Sequence, residues 1–266
     1  MKLGYIYNLF DNAEMLLPNI LHHKPLVDYV CVIYQNISFF DNSLKTPLEP
    51  YLSKLKSQNF IDDFYLFSPD IKNDIIKNKT DKFNIGIELC KANNCSHFIL
   101  ADTDEFYQLY EMEKAKQIMT LFNFDSSATR MYTYYHDQNH RFAFQEDYYV
   151  PFIYKLDQRR FNLQEWPVLC DPARKLSPGK TIIFYGAITM HHFSWVRKDI
   201  ALKLFNNAHF RHYINFFDLL VQHHRNWLPG EQGLTCTPDG VTHIQLIELT
   251  NNIDPYFQAD IIPYSY

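Results

Sequence analysis

Glycine is scarce in this chain, with 7 in 266 residues against 19 Tyr and 22 Phe, which excludes a linker-rich or disordered composition. The five cysteines, Cys31, Cys90, Cys95, Cys170 and Cys236, are odd in number and contain no C-x-x-C. No cysteine metal site can be read from that spacing, and the thiols are expected to be small core residues in a reducing compartment. No run approaches the ~20 apolar residues that span a bilayer. The opening MKLGYIYNLFDNAEMLL is broken by Asn8, Asp11, Asn12 and Glu14 and lacks the layout of a signal peptide. A cytoplasmic protein is expected, either soluble or peripheral to a membrane. Positive charge is also short: the net charge is -5 and the pI about 6.2, a poor basis for generic nucleic-acid binding.

The pattern that is present alternates. LGYIYNLF reads as a short strand, and DNAEMLLPNILHH as a helix opened by a capping box of Asp11 and Glu14 and kinked or restarted at Pro18. VDYVCVIYQ is a continuous β-branched run, too apolar for a half-exposed strand. A helix within TPLEPYLSKLKSQNF, a strand in IDDFYLFS, a helix in DKFNIGIELCKANN and a strand in HFILA follow. Four alternations in about the first hundred residues predict an α/β domain with a mostly parallel central sheet. SATRMYTYYHDQNHRFAF and EDYYVPFIYKL are rich in Tyr and Phe and suggest longer, partly antiparallel strands; the rings of 132–154 are expected in the core more than on a sugar platform. TIIFYGAITMHHFSW is a further β run, and a long amphipathic helix or helix pair follows from Arg197. With no repeat or linker, the expectation is one domain: a nucleotide-binding half to about 110, an acceptor half over about 111–200, and a helical segment over about 197–266.

HFILADTDEFY brings a buried strand up to Asp102, Asp104 and Glu105. In a parallel α/β sheet, ligands bind beyond the carboxyl ends of the strands, which is where these acids fall. In an extended backbone Asp102 and Asp104 would share a face and could hold one hard divalent cation, Mn²⁺ or Mg²⁺. D-x-D alone is common in solvated loops. MHHFSWVRKD adds an imidazole, His192, with His191 directed to the opposite side by alternation, and Arg197 five residues on. With 12 His in the chain, an adjacent pair carries little weight alone.

In combination these segments resemble GT-A-type glycosyltransferases of the family 2 and family 92-like group. YNLFDNAEMLLPNILHH is similar to its Y-N-E-x-x-x-L-P-x-x-L-x-x-H opening. VDYVCVIYQNIS resembles its second strand, KFNIGIELCKANNCSHFILADTDEFY its D-x-D-E-F segment, and HHFSWVR its H-x-S-x-x-R segment. The resemblance spans residues 5–197 and implies a GT-A (Rossmann-like) fold with helices on both faces of the sheet and a C-terminal helical segment. It further implies an EC 2.4-class enzyme with a UDP- or GDP-sugar donor and a glycan or other hydroxyl acceptor. The metal would be held by Asp102, Asp104 and His192. Tyr7, Asn8, Gln35 and Lys82 would face the donor, Gln35 or Asn36 standing where the family more often has a base-contacting acid. Arg174, Lys175 and Arg197 are candidates for the diphosphate, their planar or point charges suiting phosphate. DPARKLSPGK would then be a loop closing over the donor, and Trp166 and Trp195 would be candidate sugar contacts.

An inverting transferase needs a carboxylate to take the acceptor proton. Glu146, Asp147, Glu165 and Asp171 are available, with Asp171 preferred because Pro172 favours an extended geometry before it, and Asp147 next. Two other functions remain open. A nucleotidyltransferase would open with a glycine-rich phosphate loop, which YIYNLFDNAEM lacks. An inactive GT-A-like glycan-binding protein would have no need of intact acids.

Overall fold

The computed structural model describes residues 1–39, 44, 46–157, 164–171, 174–176, 178–206, 214–237 and 240–249. The first half alternates as expected: β1 (Leu3–Leu9), α1 (Leu16–His23), β2 (Tyr29–Tyr34), α2 (Glu49–Ser57), β3 (Asp63–Leu66), α3 (Ile75–Ala92) and β4 (His97–Asp102). Then come β5 (Glu105–Tyr107), α4 (Leu109–Leu121), β6 (Ser126–Tyr135), β7 (His140–Phe142), β8 (Val150–Lys155) and the long β9 (Thr181–Trp195). The described chain closes with α5 (Ile200–Asn206), α6 (Phe217–Asn226), β10 (Gly233–Thr237), β11 (Gly240–Ile244) and β12 (Leu246–Glu248).

The main sheet runs β12-β7-β6-β8-β4-β1-β2-β3, with β9 against β6 and β5. Its nucleus, β4-β1-β2-β3, is parallel throughout, as the unbroken apolar strands require once helices cover both faces. β8 enters antiparallel between β4 and β6, while β9 lies parallel to β6. The second half is thus mixed, and β10 and β11 form a separate antiparallel pair. On one face Leu16, Ile20, Leu52, Leu55, Met112 and Met119 of α1, α2 and α4 pack over the inward residues of β1 and β2. On the other, Phe83, Ile87 and Cys90 of α3 pack over Ile6, Cys31, Phe98 and Leu100. Gly86 permits that approach, since a Cβ there would lie 2.3 Å from Ile6 Cγ2. Tyr134, Tyr135, Phe152 and Tyr154 are core residues, as their periodicity suggested. Among the described residues no helix is long and apolar enough to cross a membrane.

The shortage of glycine is met at the helix ends by asparagine. Asn59, Asn94 and Asn123 follow α2, α3 and α4 with φ of 59°, 54° and 51°. Each closes the paired C-terminal bonds of its helix, as where Asn94 N–H donates to Lys91 O and Cys95 N–H to Cys90 O. Asparagine tolerates the left-handed region better than most side chains. The capping box expected at the first helix does not form. A 3₁₀ turn over Ala13–Met15 precedes α1, Asn12 makes no side-chain cap, Glu14 accepts from Lys198 N–H and Asp11 from Asn206.

Candidate active site

Parallel register carries the ends of β1 and β4 to the same edge, with Asn8 opposite Asp102. β2 sits on the other side of β1, so β1 is the strand at which the connections reverse direction. A cavity of about 260 Å³ opens there. From the strand ends come Asn8, Gln35 and Asp102, from the following loops Asp11, Asn12, Ser38 and Asp104, from β9 His192 and Ser194. Three cations reach it: Lys79 of α3, Arg197 just past β9, and Lys203 of α5.

The two aspartates have different environments. Asp102 ends β4 and keeps a partly exposed side chain, whose Oδ1 accepts from Asn8 Nδ2 at 2.7 Å and Oδ2 from Arg174 Nη2 at 3.1 Å. Burial acts to raise its carboxyl, but Arg174 outweighs it and holds the group below the ordinary range. Residues 103 and 104 turn instead of extending the strand, so Asp104 is directed elsewhere. Buried at 3%, it pairs with Arg197 Nη2 at 2.5 Å and faces His192 Nε2 at 3.6 Å. Burial again opposes ionisation, and Arg197 followed by His192 overrides it, leaving Asp104 strongly depressed. β5 pairs with β9 so that Glu105 lies opposite His192 and Phe106 opposite His191. Alternation sends His192 to the cavity and His191 away, where Tyr134 Oη meets its Nδ1 at 2.8 Å and burial lowers it to about 3.

Several expected donor contacts are corrected by burial. Tyr7 is in the core with its hydroxyl donating to Asn19 Oδ1 at 2.7 Å, so it does not line the cavity. Lys82 is also fully buried; its ammonium donates to Leu9 O and Gln35 Oε1, both at 3.0 Å, which places it behind Gln35. Burial lowers that ammonium to about 7. Arg174 lies beneath the acids instead of over a diphosphate, with Nη1 and Nη2 on Glu105 at 2.7 and 2.6 Å. Lys175 does not reach the cavity; its carbonyl accepts from Gln164 N–H. Lys180, at the far end of the same segment, donates to Phe122 O and lies over the Phe124 ring. DPARKLSPGK therefore does not close over the cavity through its described cations; Pro172, Ala173 and Ser177 lie outside the described residues. Trp166 and Trp195 are core side chains. Asn8, Gln35, Asp102, Asp104, His192 and Arg197 are the expected residues that the fold does bring together.

Neither candidate base lines the cavity. Asp171 lies 3.5 Å from Arg174 Nε, and Asp147 is exposed. The expected metal set fails on geometry. Asp102, Asp104 and His192 supply suitable oxygen and nitrogen donors, yet among the described residues no group of three or more His, Cys, Asp or Glu is arranged to hold an ion. Asp104 is turned to Arg197, and Asp102 to Asn8 and Arg174. As arranged, the residues do not fit a divalent cation. Sequence reading missed Asp11, Lys79, Lys203 and Asn206. The one available signal was the i, i+3 spacing of Lys203 and Asn206 on a helix just after Arg197. Lys203 donates to the carbonyl and hydroxyl of Ser194, and burial followed by Arg197 lowers its ammonium to about 7.

No protein-family model matches the chain, and no curated protein sequence does. Solved structures match more distantly. S. aureus TarS 1-349 aligns at 12% identity with a TM-score of 0.43, covering 84% of this chain and 72% of that one. A longer TarS chain aligns at 12% with a TM-score of 0.42; 77% of this chain is covered, and the match spans only 38% of TarS. CMP:2-keto-3-deoxy-manno-octonic acid synthetase complexed with CTP aligns at 10% with a TM-score of 0.36, covering 59% and 75%.

Proposed function

We propose that the protein is a GT-A-type glycosyltransferase that moves a sugar from a nucleotide-diphosphate donor, UDP- or GDP-linked, to a hydroxyl of a glycan or other acceptor. The observation that carries this reading is the cavity at the carboxyl edge of β1, β2 and β4, where three cations face three aspartates. Asn8, Gln35 and Ser38 offer hydrogen bonds to a nucleoside, and Phe39 a ring for its base. Lys79, Arg197 and Lys203 offer positive charge to a diphosphate.

In an inverting transfer the acceptor oxygen bonds to the anomeric carbon as that carbon's bond to the β-phosphate oxygen breaks. The electron pair leaves with the nucleoside diphosphate, and the acceptor proton passes to a carboxylate. Asp171 is kept first for that proton and Asp147 second; neither lines the cavity, and Asp171 is joined to it only through Arg174, which also bonds Asp102. The test is release of UDP or GDP from a panel of nucleotide sugars by the purified chain with mixed glycan acceptors. Release from one donor, dependent on acceptor, is expected. Donor binding without release would assign a glycan- or nucleotide-binding role instead. Pyrophosphate release from a nucleoside triphosphate would assign a nucleotidyltransferase.

A further inference from the structure

Two of the cavity's carboxylates, Asp102 and Asp104, are already paired with the protein's own arginines, and Arg197 retains unused donors. Its side chain is 7% exposed, one Nη bonds Asp104, and among the described residues its Nε and Nη1 are buried without a hydrogen-bond partner. A guanidinium carries five N–H donors, and buried ones left unmet cost about 1–3 kcal/mol or more. Arg197 lines the cavity, so an acceptor bound there is the partner these donors lack. Lys203 stands beside them, its ammonium held by the Ser194 carbonyl and hydroxyl. An Arg fork and a Lys ammonium, whose proton an adjacent diphosphate would hold against the burial that lowers it, together supply the two positive charges that a divalent ion would bring to a diphosphate.

We infer that Arg197 and Lys203 receive the donor's diphosphate directly, in place of a divalent cation, and that Asp104 serves to hold Arg197 in position. This inference rests on the reading of the cavity as a nucleotide-diphosphate-sugar site. When the bond from the anomeric carbon to the β-phosphate oxygen breaks, the electron pair and the new negative charge fall on that oxygen. Fixed cations in a half-buried cavity stabilise such charge as it forms, with no reorganisation at the moment of reaction. Asp104 is then a positioning residue: its carboxylate fixes one edge of the guanidinium and leaves Nε and Nη1 available. The same arrangement explains why two neighbouring aspartates are tolerated at one strand end, since Arg197 meets Asp104 and Arg174 meets Asp102.

Calorimetric binding of UDP and of GDP to the full chain, in EDTA and with added Mn²⁺, is the test. One of the two nucleotides is expected to bind in EDTA, with Mn²⁺ changing Kd by less than about threefold. Arg197→Lys keeps the charge and loses the fork, and should weaken binding about tenfold or more in both conditions, the equivalent of about 1.4 kcal/mol. Asp104→Asn should still bind in EDTA. Binding that requires Mn²⁺ and is lost in Asp104→Asn would return the acids to metal ligation and overturn the inference, while leaving the nucleotide-sugar reading intact. Absence of UDP and GDP binding in both conditions would overturn the two together. The wild-type comparison of EDTA with Mn²⁺ needs no variant to fold.

Discussion

Arg174 and Glu105 form a two-point ion pair beneath the cavity, Nη1 and Nη2 each donating to one carboxylate oxygen at 2.7 and 2.6 Å, with both side chains 4% exposed. Arg174→Met is expected to destabilise by about 3–5 kcal/mol near neutral pH, because it strands a buried carboxylate. Burial already raises Glu105 to about 7 against the pull of Arg174, and without that pull it rises further. A folded value above the unfolded one means that the folded state holds the extra proton, so the variant should lose stability as pH rises from the ordinary carboxylate range past 7. Urea melts of Arg174→Met at acid and alkaline pH check this, with Glu105→Gln in the same background expected to remove the slope. A flat pH profile in the single variant would show that the pair is not the cause.

The close approach of α3 to β1 sets a second expectation. Gly86→Ala gains up to about 1 kcal/mol of helix propensity. It also places a Cβ at 2.3 Å from Ile6 Cγ2 in a filled core, a clash costing about 1–3 kcal/mol. Overpacking should win, and thermal melting should show a lower Tm. The penalty should vanish in an Ile6→Ala background; an equal penalty there would put its origin elsewhere.

Buried histidines predict acid sensitivity. Burial lowers His97 and His224 to about 4 from an ordinary value of 6.5. In that window the unfolded chain binds more protons than the folded one, so stability is full above 6.5 and falls as pH drops toward 4. His224 is neutral against Trp195 O, which meets its Nε2 at 2.6 Å. His224→Gln is expected to flatten part of that slope in denaturation series across pH 4 to 6.5. Lys82 acts in the same sense at higher pH: lowered to about 7, it penalises the fold most below 7 and releases that penalty as pH rises toward 10.5.

Asparagine at the helix ends offers a stability test. Asn94 sits at φ 54°, where a side chain costs about 1–2 kcal/mol in general, less for Asn, and nothing for Gly. Asn94→Gly should match or exceed the wild-type Tm, and Asn94→Ala should fall below it. Reversal of that order would mean that the Asn94 side chain, not its backbone conformation, is what the position selects.

For the transfer itself, Asp171→Asn is expected to lower kcat strongly with little change in donor KM, since it removes a proton acceptor without much volume. An unchanged kcat would pass the role to Asp147, where the same substitution should then show the loss.

Much of the fold could be read along the chain because its signals are local. The apolar runs that became β1, β2 and β4, the amphipathic stripe of Phe83, Ile87 and Cys90, and the placement of Asp102 at a strand end all depend on neighbours within a few residues. The alternation that separates His191 from His192 is of the same kind. Partner choice is not. Arg174 looked like a cation for the diphosphate until the fold brought it to Glu105, 69 residues away, and Lys82 like a donor contact until it met Leu9 O, 73 residues away. Asp104 carries the same letter as Asp102, but the turn at 103–104 sends it to Arg197, 93 residues on. Charge type is written in the sequence, whereas burial and the identity of the opposing charge arise only when distant segments pack. Those two quantities decide whether an aspartate is open to a metal ion or already neutralised by an arginine.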